Sequence, residues 1–246
     1  MKTALSFVLV FFFAASAAAV SGMPVTYTVN GQPYEGYYIS PSKKAPLVLL
    51  IHDWDGLTDY EVTRANMLAQ RGYAVFAADL FGAGIRPTEV KDRRQHTGEL
   101  YKDRAKMRAL IQGALDAAQS KGANVQNAVV MGYCFGGAAV LEFARSGADM
   151  KGFVTFHGGL KTPEGQDYSK AGGKVLILHG TADANITMDQ FAQLARELEE
   201  YGVMHEMITY GGAPHAFTVF GESRYREDAD KKSWQRFIAF LGETLD

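Results

Sequence analysis

The sequence predicts an α/β chain, a mostly parallel sheet of about eight strands flanked by helices. Three observations lead there. Short apolar runs rich in β-branched residues, such as Leu47–Ile51 and Val175–Leu178, read as strands buried on both faces. Amphipathic stretches separate these runs, and several end at a glycine. The chain has 246 residues, 47% hydrophobic and 21% charged, which is enough for a full core and excludes disorder, collagen and low-complexity classes.

The elements follow in order. Val25–Val29 and Tyr34–Ile39 flank Asn30-Gly31, a hairpin signal. Leu47–Ile51 is the first fully buried strand, and Asp59–Arg71 has helical spacing that stops at Gly72. Tyr73–Ala78 is the next buried strand. A loop with Gly82, Gly84 and Pro87 precedes one long helix over Gly98–Ser120. Ala128–Met131 is a strand and Gly136–Arg145 a helix. Phe153–Phe156 and Val175–Leu178 are strands, Thr187–Tyr201 an amphipathic helix, His205–Tyr210 the last strand and Asp230–Leu245 the closing helix. No repeat or linker interrupts this pattern, so residues 20–246 read as a single domain.

Residues 1–19 read as a signal peptide. Lys2 precedes the apolar run Ala4–Phe13, and small residues follow up to Ala19. The expectation is export to a periplasm or the exterior, with no stable membrane anchor after cleavage.

Charge and composition exclude other classes. There are 25 Lys+Arg against 27 Asp+Glu, and neither half is strongly basic, which argues against nucleic acid or an anionic membrane surface as partner. The single cysteine, Cys134, rules out an intrachain disulfide framework and a cysteine-rich zinc site. Among His52, His96, His157, His179, His205 and His215 no pair has the i, i+4 helical spacing of a zinc site, so no metal is expected. His157 and His179, at strand ends, read as turn-capping or pocket-lining side chains. Gly82-x-Gly84 lacks the setting of a dinucleotide site and no phosphate-binding loop occurs, so no cofactor is expected.

The chemical signal is Gly132-Tyr133-Cys134-Phe135-Gly136, between a strand and a helix. A sharp strand-to-helix turn lifts its central side chain above the sheet and admits only small residues two positions away. Cys134 is then a nucleophile at a helix N-terminus, where the dipole lowers a thiol pKa. Asp183 lies just past the strand Val175–Leu178 and is the candidate to orient a base; it also fits a turn before the helix at Thr187. His215, in Gly211-Gly212-Ala213-Pro214-His215, is the candidate base. In parallel sheets such residues gather beyond the carboxyl ends of the strands. The loop His52-Asp53-Trp54-Asp55-Gly56 follows another strand end. It supplies the Trp54 amide as an oxyanion donor beside the Phe135 amide, and Asp53 facing the nucleophile.

These residues resemble the dienelactone hydrolase family of α/β-hydrolases, on Gly132 to Gly137, the Asp183 loop and Pro214-His215-Ala216-Phe217. The resemblance implies the α/β-hydrolase fold and a Cys–His–Asp triad of Cys134, His215 and Asp183 acting on small esters or lactones through a thioester. It also implies a thiol-activating carboxylate after the third strand, usually Glu. Asp53 matches that position and is shorter by one C–C bond, ~1.5 Å. Family members that cleave the anionic dienelactone hold its carboxylate with arginines, one a few residues after the histidine. Here Ala216-Phe217-Thr218-Val219 carries no charge, which points to a neutral substrate. Arg86 and Phe217 are the candidate substrate contacts, with Trp54 and Phe220 adding apolar surface. A non-catalytic ligand-binding protein of the same fold is the alternative. A thiol redox protein lacks a resolving cysteine.

Overall fold

A computed structural model describes residues 20–245. The signal-peptide expectation falls on residues 1–19, outside the described residues. Eight strands form one sheet: β1 (Met23–Val29), β2 (Gln32–Ile39), β3 (Pro46–Ile51), β4 (Ala74–Ala78), β5 (Asn124–Tyr133), β6 (Gly152–Phe156), β7 (Lys174–Gly180) and β8 (His205–Tyr210). Their order is β1-β2-β4-β3-β5-β6-β7-β8. The β1–β2 hairpin turns at Asn30-Gly31, and β2 pairs antiparallel with β4. From β4 to β8 all pairings are parallel. This is the α/β-hydrolase fold.

Among the described residues six helices cover the sheet: α1 (Asp59–Ala69), α2 (Val90–Lys102), α3 (Arg104–Ser120), α4 (Phe135–Arg145), α5 (Met188–Glu200) and α6 (Glu227–Thr244). Alternation along β3 shows the two layers. Leu47, Leu49 and Ile51 join the core with Met107, Leu110 and Ile111 of α3, Val140 and Leu141 of α4, and Leu194 and Leu198 of α5. Val48 and Leu50 face the opposite layer, with Ala65 and Leu68 of α1 and Trp234, Phe237 and Leu241 of α6. Both faces of β3, β4, β6 and β7 are therefore dry, as their unbroken apolar runs require.

One element differs from expectation. The helix expected over Gly98–Ser120 is two helices, and the first begins at Val90. The break is at Asp103, whose backbone leaves the helical region (φ −111°, ψ 79°) and whose carboxylate accepts from the Lys106 amide at 2.9 Å. An aspartate satisfies orphan amide donors better at a helix start than inside a helix. The break matters for function, because it frees α2 to lean over the carboxyl ends of the strands.

Candidate active site

The loops that leave β3, β5, β7 and β8 meet above the sheet. After β5 the chain turns sharply at Cys134 (φ 47°, ψ −108°) and enters α4. The Cys134 amide donates to Phe156 O at 3.0 Å, and its carbonyl accepts from the Ala138 amide at 3.2 Å. The bracketing glycines are steric necessities. A Cβ on Gly136 would lie 2.4 Å from Ile51 O, and one on Gly132 would lie 2.3 Å from the Gly136 carbonyl carbon.

Asp183 and His215 come from adjacent strands, so their loops are stitched together. The Ala182 amide donates to Ala213 O at 3.0 Å, and the Gly212 amide to Thr181 Oγ1 at 2.9 Å. Asp183 Oδ1 accepts from the Asn185 and Ile186 amides, each at 2.9 Å. Its Oδ2 lies 2.7 Å from His215 Nδ1. That contact assigns the proton to Nδ1 and leaves Nε2 as an acceptor, 3.1 Å from Cys134 Sγ. Burial alone would raise the Asp183 pKa. The His215 hydrogen bond and the two amides outweigh it and hold the carboxylate below its usual range. The three side chains singled out in the sequence thus form one connected chain.

The thiol departs from expectation. Burial first, and then the Asp53 carboxylate hydrogen-bonded to it, push Cys134 well above the ordinary thiol range. The Phe135 amide pulls the other way and is outweighed. Burial and Asp53 thus favour the protonated thiol over the thiolate that the helix N-terminus would favour. Asp53 is itself buried, and burial pushes it up to about 6. Despite its shorter side chain it reaches Cys134, because parallel pairing sets Ile51 of β3 beside Gly132 of β5.

The expected oxyanion donors stand differently. The Phe135 amide faces the Cys134 sulfur. The Trp54 amide donates to Asp53 Oδ1, so in this structure it is occupied rather than open. The Asp53 backbone is held on both sides. His52 Nε2 accepts from the Leu80 amide at 3.1 Å, which puts the ring proton on Nδ1, facing Asp53 O. The Asp53 amide points to Glu61 Oε1 at 3.4 Å. Glu61 also closes the cap of α1 by accepting from Thr58, and burial pushes it up to about 8.

A second support holds the His215 loop. Thr218 Oγ1 lies 2.8 Å from both Tyr60 Oη and His157 Nε2. Arg64 Nη2 donates to Thr218 O at 2.9 Å and forms a buried ion pair with Asp230. His157 packs edge-on against His215 with ring centroids 5.4 Å apart. Burial, followed by its histidine neighbours, lowers the His157 pKa well below normal, so it stays neutral beside the base. His179 bonds Ile186 O at 3.0 Å. Among the described residues no cluster of three or more His, Cys, Asp or Glu is arranged for a metal.

Cys134, Asp53, Trp54, Phe135, His215 and Ala216 line a cleft of about 290 Å³. Larger clefts of about 470 and 460 Å³ are lined by neither Cys134 nor His215. Two sequence candidates are elsewhere. Arg86 donates to Ile85 O at 2.7 Å, sits 3.8 Å from Asp79 and does not line the cleft. Phe217 is fully buried against His157 and Tyr210. Phe220 packs on Arg64 and Tyr60. Sequence reasoning missed the cations that do line the cleft, Arg94 of α2 and Arg224. Both are exposed, and neither has an ion-pair partner among the described residues. The pocket is therefore cationic at its mouth rather than simply apolar. Arg94 and Tyr101 lie seven residues apart on one face of α2, a signal legible only once that helix is started at Val90.

The electrostatics predict the effect of Asp53→Asn. Removing a negative charge beside the thiol stabilises the thiolate, so the thiol pKa falls. Alkylation of Cys134 by iodoacetamide at neutral pH should speed up by about tenfold or more, and its pH midpoint should move down. An unchanged or slower rate would mean that Asp53 does not hold the thiol proton.

Comparison with known proteins shows the family and the fold. The profile of the dienelactone hydrolase family matches residues 34–245. A dienelactone hydrolase-like promiscuous phosphotriesterase from metagenomic libraries is 29% identical, with a TM-score of 0.86 over 93% of this chain and 100% of that one. The protein usf of Aquifex pyrophilus is 25% identical, over 91% of this chain and 99% of its own length. A dienelactone hydrolase from Anabaena variabilis shares the fold at 16% identity, with a TM-score of 0.69 over 93% of this chain and 100% of that one. With the elbow, the three-residue chain and the sheet order all in place, the chain belongs to the dienelactone hydrolase family.

Proposed function

We propose that this chain hydrolyses ester or lactone bonds of small, carboxylate-bearing molecules through an acyl thioester on Cys134. The observation that carries the reading is the unbroken run from Cys134 Sγ to His215 Nε2 and from His215 Nδ1 to Asp183, at the head of a cleft. As Sγ attacks the carbonyl carbon, the thiol proton passes to His215 Nε2. The charge that develops on the carbonyl oxygen is met by the Phe135 amide. Asp53 turning off the Trp54 amide opens the second donor. The tetrahedral species collapses and the C–O bond breaks. His215 gives its proton to the departing alkoxide, which remains tethered when the substrate is a lactone. Water then attacks the thioester carbon, His215 takes a proton from it, and the proton returns to sulfur as the acid leaves. Asp183 stays ionised throughout, fixing the tautomer and stabilising the imidazolium.

Arg94 and Arg224 support the acidic substrate class and replace the expectation of a neutral one. Asn185 beside them adds a neutral polar contact. We further propose that residues 1–19 are a cleaved signal peptide, residues 20–246 one domain, and the mature protein exported; Lys2, the Ala4–Phe13 run and the alanines support this.

Three measurements follow. Cys134→Ala should lower kcat/KM for any ester substrate by about 10³-fold or more with an unchanged circular dichroism spectrum, since only binding and the amide donor remain. Full activity in that variant contradicts the mechanism. An ester carrying a carboxylate should exceed its neutral isostere in kcat/KM by about tenfold at low salt; Arg94→Gln, Arg224→Gln and added salt should each shrink that ratio. A wild-type preference for the neutral ester contradicts the substrate class. Sequencing the protein from its native host should find an N-terminus near Val20; intact Met1 in the cytosol contradicts export.

A further inference from the structure

A second cavity adjoins the cleft at Cys134. Tyr101, Gly159 and Ile186 line the cleft and also line this neighbouring cavity of about 400 Å³. At Gly159, which lines both, a Cβ would lie 3.3 Å from the Ala138 methyl, so glycine leaves room where the two cavities adjoin. The first cavity alone, about 290 Å³, is at the lower edge of small-molecule sites, and the pair lies within their range of ~300–1,000 Å³.

The outer cavity has a defined chemistry. Leu160 and Pro163 give it an apolar floor. Arg104, Arg145 and Lys161 line it against one acid, Glu164. Arg104 and Arg145 share the buried Glu142, at 3.3 and 3.1 Å, so part of their charge is already met. Lys161 has no ion pair among the described residues. Gln190, at the start of α5, leaves its Oε1 buried without a hydrogen-bond partner in the wall of this cavity. That oxygen only accepts, so it is not a contact for a carboxylate; the Lys161 ammonium is the group in this cavity that would meet one. An adjoining cavity with apolar lining and net positive charge fits an elongated arm with an acidic end.

We propose that the outer cavity is a second substrate subsite, receiving an arm of the ester that is apolar along its length and ends in a carboxylic acid. The inference rests on the hydrolase reading above and adds a length requirement to it. Arg94 and Arg224 line the cleft but not this chamber, so the two cationic regions address different parts of the substrate.

The test uses two sets of esters, one varied on the acyl side and one on the alcohol side. Each set contains a short ester, a long neutral one and a long one ending in a carboxylate. In one set the long acid should exceed the short ester in kcat/KM by about tenfold or more, as burial of a few methylenes and a charge contact would give. Gln190→Trp fills the chamber and should bring the long-to-short ratio toward one. Lys161→Glu should remove the advantage of the acid over the neutral arm. Turnover of the short esters with no gain for either long series overturns the subsite and leaves the hydrolase reading standing. So does a long-to-short ratio unmoved by Gln190→Trp. If no ester is turned over, the hydrolase reading fails, and calorimetric binding of the same esters to Cys134→Ala decides the subsite separately. Tighter binding of the long acid, lost in the Gln190→Trp background, supports it, and equal binding of short and long overturns it.

Discussion

The site depends on a steric pinch between β3, β5 and α4. Gly136 lies against Ile51 O and His52 O, and Gly132 lies against Gly136 in turn. With no side chain at either position, α4 can begin directly above β5. The chain between them must then pass through a backbone region that non-glycine residues rarely occupy, and Cys134 occupies it. Such a residue costs ~1–3 kcal/mol, which the packed elements on either side must offset. The chain neighbours of Cys134 are buried one in each core layer, Phe135 in the first and Tyr133 in the second. The same pinch sets the end of β3 beside the elbow and so delivers Asp53 to the thiol.

Around that turn the electrostatics favour a quiet resting state. Burial and Asp53 hold the thiol protonated, while Asp183 is held ionised and His215 carries its proton on the nitrogen away from sulfur. An acceptor for the thiol proton waits 3.1 Å away. Neutral His157 lies against His215, and a buried ion pair, Arg64–Asp230, anchors the loop that carries it. A buried pair of this kind fixes geometry more reliably than it adds stability.

Much of this was legible in the sequence, for physical reasons. Strands buried on both faces must be apolar throughout, so β3, β4, β6 and β7 are visible as runs. The elbow needs its glycines, and Asp183 and His215 follow strand ends. The break at Asp103 was missed because the apolar spacing of the long stretch hid a capping residue; with it went Arg94 and Tyr101, which that break brings over the cleft. Arg224 was missed because it stands nine positions after His215 and only the fold of the loop brings it back. The thiol was expected to ionise because the helix dipole is readable from order along the chain, whereas burial and the opposing Asp53 charge are not. Phe217 stands two positions after His215 and Arg86 is the cation of the glycine-rich loop after β4; the structure buries the first and turns the second toward Asp79. The Trp54 amide was assigned as open because a sequence cannot show that the preceding carboxylate folds back on it.

The central claim is that the Cys134 sulfur carries the acyl group between two half-reactions. Acid quenching during turnover of an activated ester, followed by mass spectrometry of the intact protein and of its peptides, tests this directly. The account predicts a fraction of the protein heavier by the mass of the acyl group, with the adduct on the peptide containing Cys134 and released by hydroxylamine. Hydrolysis at full rate with no adduct at any quench time, or an adduct on another residue, would contradict it.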